Sequence, residues 1–321
     1  MTKNTSISYI IPAYNCENTL KEAIQSIYQD NFFEEDEVVI INDCSTDRTG
    51  EIIDELIGSY PDIKRIDHLV NKGTAAASRN TGIEHIKNEL IFCLDSDNVL
   101  VPGSIENLKN HLINTNADAA AFGELHHFTE SIKEISHKWI YNDEITLADA
   151  LCGHFWPGPS GNYLFTRESW LKAGRYFEPT LENQTLDSWT FGIRQLGTGS
   201  KMVTLKNSWY FHRYGHNSHY VRNKEIGNQS LTALIGIIPF LHLIEEEDVD
   251  FIFSKKERTQ WYQNLNNRPI NVKGGYLTKK GYIQMTAPGK ERMKSRRSLS
   301  KIIVRIIKKH FSFIAKLIQR K

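Results

Sequence analysis

The chain has little cysteine. Its four, Cys16, Cys44, Cys93 and Cys152, follow no disulfide or zinc-ligand spacing. That argues against a disulfide-stapled scaffold and a thiolate metal centre, and leaves a reduced, cytosolic protein as the simplest expectation. Long apolar runs are also missing. The longest, residues 233–244, is about half of what a bilayer-spanning helix needs, and Pro239 and His242 interrupt it. No transmembrane helix is expected. The opening Met1-Thr2-Lys3-Asn4-Thr5-Ser6 has no apolar stretch of the secretory type before the first strand. There is no internal repeat and no low-complexity segment.

What remains has the composition of a soluble globular protein, with 40% hydrophobic and 24% charged residues over 321 positions. That length holds one large domain with an extension, or two domains. The formal net charge of +1 hides an asymmetry. Residues 290–321 carry 12 Lys/Arg and one Glu, leaving 27 basic and 37 acidic residues in the rest. A mildly acidic body with a basic tail points to a separate partner for the tail.

Apolar runs alternate with helical patterns along the first third. Ile7–Ile11 reads as a strand, followed by a helix with Leu20, Ala23, Ile24 and Ile27 on one face. Glu37–Ile41 is a second strand, and Ile52, Ile53, Leu56 and Ile57 mark a second helix. A third strand is expected over Arg65–Val70, then a helix carrying Arg79 and Asn80. Ile91-Phe92-Cys93-Leu94 is a fourth, buried strand that runs into Asp95-Ser96-Asp97-Asn98. This alternation predicts a parallel sheet with helices on both faces, and ligands in such sheets bind beyond the carboxyl ends of the strands.

Polar residues cluster at those ends. Tyr14 offers a flat face for a base, and Asp43 can accept from a base N–H or a ribose hydroxyl. Lys72 and Arg79 can neutralise a diphosphate. Asp95 and Asp97 are two carboxylates one residue apart, which repel unless a cation such as a hard divalent metal sits beside them.

Four segments, Ser8–Asn15, Ile40–Asp47, Asn71–Gly73 with Ser78–Gly82, and Leu94–Asn98, resemble in order and spacing the signatures of family 2 glycosyltransferases with the GT-A fold. The resemblance covers about the first 110 residues. It implies inverting transfer of a sugar from a nucleotide diphosphate, assisted by Mn²⁺ or Mg²⁺. It implies a donor site of Pro12, Tyr14, Asn15, Asp43, Lys72, Arg79, Asp95 and Ser96, with Asp43 reading the base and Asp97 as main metal ligand beside Asp95. The chain departs from the family pattern at Asn42, where an acid is usual, and at Cys44, where glycine is usual. Asn98 stands where a third acid is common.

The second half carries the acceptor expectations. A strand is expected over Asp118–Gly123 and another over Tyr163–Thr166, followed by a short helix. Residues 128–160 look like a variable loop region, and Gly153–Asn162 is rich in turn formers and aromatics, so Trp156 can pack on a sugar ring. Leu186–Arg194 resembles the family segment in which an acid opens a helix lining the acceptor site. An inverting reaction needs a base there, which makes Asp187 the candidate, Glu182 the reserve and Trp189 a further acceptor residue. Trp209–Ser218 resembles the closing segment of the domain, with His212 or His216 as possible metal or phosphate ligands.

Residues 225–289 carry no motif beyond one or two helices and a hairpin-like stretch near 271–276. The Gln-x-x-Arg-Trp motif and membrane spans of processive synthases are missing, so addition of one or few sugars is expected. Residues 301–321 place apolar residues such as Ile303, Ile307 and Ile314 mainly on one helical face, with Lys and Arg over much of the rest. That pattern suits an anionic membrane surface, with an oligomerisation helix or a nucleic-acid contact as alternatives. The expected organisation is a transferase domain over 1–224, divided at 110/111, an extension over 225–289 and a tail over 290–321. The expected activity is glycosyl transfer in surface glycan or glycolipid synthesis, with a glycan or lipid-linked acceptor, peripherally on the inner face of the membrane. The alternatives are a sugar nucleotidyltransferase, which would want a Gly-rich loop where Pro12–Asn15 stands, and a non-catalytic nucleotide-sugar-binding or scaffold protein.

Overall fold

The structure is a computed structural model. It describes residues 5–141, 144–145, 161–178 and 187–214, and the strands 270–272, 275–278 and 281–284. The chain divides into two compact units, Met1–Ile237 and Ile238–Lys321. In the first unit, nine strands form one mixed sheet in the order β3-β2-β1-β4-β8-β5-β9-β7, with β6 paired to β5. Four parallel strands make its first half: β1 (Ile7–Ala13), β2 (Glu37–Asn42), β3 (Ile63–Asp67) and β4 (Leu90–Cys93). Their connections are α1 (Leu20–Tyr28), α2 (Thr49–Ser59) and α3 (Ala75–Glu84). β8 (Leu164–Thr166) runs antiparallel to both β4 and β5 (Ala119–Phe128), which in turn pairs parallel with β9 (Met202–Arg213). The carboxyl ends of β1–β5 and β9 therefore share one edge. The remaining elements are α4 (Ser104–Asn114), β6 (His137–Ile140), β7 (Glu144–Ile145), α5 (Arg167–Lys172) and α6 (Asp187–Gly197).

β2 is buried at all six positions, as a strand covered on both faces must be. β1 runs two residues further than its apolar pattern predicts, through Pro12. Ala13 accepts from Asp43 N on the β2 side, and Ile10 accepts from Leu94 N on the β4 side. Alternation turns Pro12 toward the β4 side, where β4 has already ended, so its missing N–H forfeits no ladder bond. β3 ends at Asp67, not Val70. Leu69 and Val70 are 95% and 61% exposed, because the chain leaves the ladder after His68 N bonds Asn42 O. α3 lies close on the sheet: a Cβ at Gly82 would sit 2.7 Å from both Ile10 Cγ2 and Ile41 Cδ1.

Among the described residues no helix is long and apolar enough to cross a membrane. In the second unit, β10 (Ile270–Val272), β11 (Gly275–Thr278) and β12 (Gly281–Gln284) form an antiparallel sheet in that order. Its first two strands coincide with the expected hairpin-like stretch.

Candidate active site

The base-reading candidate is held in place by backbone and imidazole. Asp43 is 4% exposed just past β2. Its Oδ1 lies 2.6 Å from His68 Nδ1, and Lys72 N donates to both oxygens at 3.0 and 3.1 Å. The other ring nitrogen of His68 meets Thr81 Oγ1 at 2.9 Å, and Asn71 Nδ2 donates to Asp43 O at 2.9 Å. Lys72 thus contributes its main chain here, while its side chain is exposed. Cys44 takes φ 60°, the left-handed conformation that explains why glycine is usual there. Asn42, in place of the usual acid, ties two loops: its amide donates to Asp67 Oδ1 at 2.8 Å and its Oδ1 accepts from Ser45 N at 3.1 Å.

Asn15 works in the same way. It takes φ 48°, its N donates to Ser45 Oγ, and its Oδ1 accepts from Thr46 N at 2.8 Å. It clamps the loops after β1 and β2 together. Tyr14 beside it is 44% exposed.

Arg79 joins the two halves of the domain. It is 3% exposed on α3. Its Nη2 donates to Asp95 Oδ1 at 2.6 Å, and its Nη1 donates to Asp187 Oδ2 at 2.8 Å and to Ser188 Oγ at 3.2 Å. Burial opposes the charge on Arg79, but Asp187 and Asp95 outweigh it and hold its pKa well above the ordinary value. Its guanidinium also lies 5.4 Å from the centre of the Tyr176 ring. Asp187 opens α6 and has its second oxygen on Ser188 N at 2.7 Å. Gly161 makes room for this junction. It takes φ 83°, and a Cβ there would meet Ser188 Oγ at 2.5 Å and Arg79 Nη2 at 3.1 Å.

Asp95 is gripped a second time by Asn162, whose Oδ1 accepts from Asp95 N at 2.7 Å and whose Nδ2 donates to Asp95 Oδ2 at 2.8 Å. The turn that follows is held by Arg213. Its N donates to Asn98 Oδ1 at 3.0 Å and its Nε to Asp97 O at 3.1 Å. Ser96 lies against the thiol of Cys16. Burial, and then the neighbouring Asp95 carboxylate, push the Asp97 carboxyl up to about 7, against the pull of Arg213. Two close acidic groups whose second member resists ionisation fit a hard divalent cation. Among the described residues no cluster of three His, Cys, Asp or Glu side chains completes a protein-only site.

His212 and Arg213 are adjacent on β9, so their side chains take opposite faces. Arg213 serves the Asp97 turn, while His212 packs on His127, at 4.9 Å between ring centres. Trp189, expected to meet an acceptor, is 2% exposed on α6. Trp156, Glu182 and His216 lie outside the described residues. The residues that motif reading did not single out are His68, Asn162 and Arg213. Each lies at or just beyond a strand end, or in the Gly-rich segment before β8, and its partner is distant in sequence.

A family model described as "Glycosyl transferase family 2" matches residues 8–174. Among curated relatives, glycosyltransferase GlyG of Streptococcus pneumoniae is 33% identical over 125 residues, 39% of this chain and 40% of that protein. Chondroitin synthase of Pasteurella multocida is 40% identical over 100 residues, 31% of this chain and 10% of that protein. The alignments therefore span less than half the length of these relatives. Among solved structures, S. aureus TarS 1-349 in complex with UDP-GlcNAc superposes with a TM-score of 0.62 at 16% identity, covering 80% of this chain and 73% of that one. That likeness is one of fold, the GT-A arrangement of a largely parallel sheet. Strand order, motif positions and the span of the match agree, and the chain belongs to glycosyl transferase family 2.

Proposed function

We propose that this protein transfers a sugar, with inversion, from a nucleotide diphosphate-sugar to a hydroxyl acceptor in the synthesis of a surface glycan or glycolipid. The observation that carries the reading is Arg79, which binds Asp95 and Asp187 at once and so brings the strand-end carboxylate and the base candidate into one site. Tyr14 and Asp43 take the base, and the exposed Lys72 side chain reaches the diphosphate. Asp187, paired with Arg79, accepts the proton of the attacking hydroxyl. Asp97 and Asp95 would hold Mn²⁺ or Mg²⁺, which when bound offsets the charge that develops on the leaving diphosphate.

The comparisons favour this reading. Solved structures of the same fold carry UDP-GlcNAc in TarS and GDP-Man with Mn²⁺ in a Pyrobaculum calidifontis mannosyltransferase. Relatives include a poly(ribitol-phosphate) beta-glucosyltransferase and poly-beta-1,6-N-acetyl-D-glucosamine synthases. We place the enzyme on the cytoplasmic face of the membrane, held by the basic amphipathic residues 301–321, which lie outside the described residues.

The test is a thermal-shift and donor-hydrolysis panel of UDP-, GDP-, dTDP- and CDP-sugars with Mn²⁺. One nucleotide class should raise Tm in a metal-dependent way, and Asp97→Ala should abolish the rise. No shift with any donor would contradict the proposal.

A further inference from the structure

α4 has two faces. Ile105, Leu108 and Leu112 are buried in the core. Ser104, Asn107, His111 and Asn114 follow one another at steps of three and four and share another face, with Asn110 beside them. Asparagine is a poor helix former, so three in one 11-residue helix serve something other than helix stability. This polar face lines a cavity of about 490 Å³.

The opposite wall is an excursion of β9. Its register with β5 passes from Phe122↔Leu205 to Glu124↔Trp209, so Lys206, Asn207 and Ser208 stand against Gly123 alone. Irregularities of this kind re-aim side chains and recur beside binding sites. Three buried polar atoms of residues in these two walls have no hydrogen-bond partner among the described residues: Ser104 Oγ, His111 Nε2 and Trp209 Nε1. Ser104 as a whole is only 8% exposed. Unpaired buried polar atoms are rare and need a reason, and here three belong to residues that line one cavity.

We propose that this cavity binds a neutral saccharide unit. It shares no lining residue with the Asp95–Asp187 site. Its volume falls within the range of small-molecule sites, about 300–1,000 Å³. Among the described residues its lining contains one Lys and no carboxylate, so an anionic ligand finds little to pair with. Amides, by contrast, both donate and accept, which matches hydroxyl groups. Asn107, Asn110, Asn114 and Asn207 supply four of them. Trp209 brings an indole to the wall, stacked on His126 at 4.9 Å, and an indole suits the apolar face of a pyranose ring. The occupant is a sugar of a glycan chain, held apart from the reaction.

The test is saturation-transfer NMR on the full chain with neutral tetrasaccharides of glucose, galactose, mannose and N-acetylglucosamine at millimolar concentration. The variants are Asn110→Ala/Asn114→Ala, at exposed positions that leave the fold intact, and Asp187→Asn. At least one tetrasaccharide should bind, with affinity reduced about tenfold or more by the asparagine pair and unchanged by Asp187→Asn. Inorganic phosphate should not compete. The proposal fails if no tetrasaccharide binds, if phosphate displaces the one that does, or if Asp187→Asn removes binding and the asparagine pair does not. Binding with no donor turnover would count against the transfer reaction and leave this site standing.

Discussion

Cys44 shows what one residue costs. Its φ of 60° places a side chain in the left-handed region, where an L-residue other than glycine is disfavoured by about 1–2 kcal/mol. Among the described residues its Sγ makes only a long contact, 3.9 Å, with Leu69 O. Cys44→Gly should therefore stabilise the protein by about 1 kcal/mol, seen as a higher urea midpoint with an unchanged m-value. A lower midpoint would mean that the thiol contributes more than the strain costs. This position was legible in part. The departure from glycine is visible in the sequence, whereas the positive φ is a property of the folded loop. The same holds for Asp43, which a motif picks out, and for His68, which orients it from 25 residues away and carries no local signal.

At the scale of elements, β5, β6 and β9 assemble an imidazole cluster around a buried His127. His127 is 3% exposed, stacked on His137 at 4.1 Å, with His212, Trp139 and Tyr214 around it. Burial, then His212 and His137, push its pKa down to about 3, and burial with His137 pushes that of His212 down to about 4. Both rings are neutral in the fold and gain a proton on unfolding below their ordinary pKa of about 6.5. Their contribution is present above that value and is lost as pH falls toward 3–4. From pH 7 to pH 5, His127 alone should cost about 2 kcal/mol of unfolding free energy, and His127→Gln should flatten that slope. An unchanged slope in the variant would remove His127 from the account. The strands that build this cluster were the least legible. Continuous apolar runs announced β2 and β4, but β9 mixes Lys206, Asn207 and Ser208 into a twelve-residue strand, and no periodicity survives its irregular pairing. β3 failed for the opposite reason, since Leu69-Val70 continues the apolar pattern past the point where the ladder ends.

On the scale of the whole molecule, the sheet joins residues that the sequence keeps far apart. Arg79 and Asp187 are 108 positions apart, and β8, inserted antiparallel between β4 and β5, links the first four strands to the rest of the sheet. The motifs gave the edge at the strands' carboxyl ends because each is local to one strand end. The salt-bridged junction was not legible, since it depends on how α3 and α6 meet around Gly161. Arg79, expected at a diphosphate, has both terminal nitrogens on Asp95, Asp187 and Ser188 instead, which makes it the tie between the strand-end carboxylate and the base candidate.

That tie makes Asp187→Asn the most direct measurement. With the donor that stabilises the wild type, donor affinity and transfer rate should separate: binding within about twofold, and turnover lower by about 10²–10⁴-fold, the usual worth of a general base. An Asp187→Asn protein that transfers sugar at the wild-type rate would contradict the assignment of this site as the place where donor and acceptor meet.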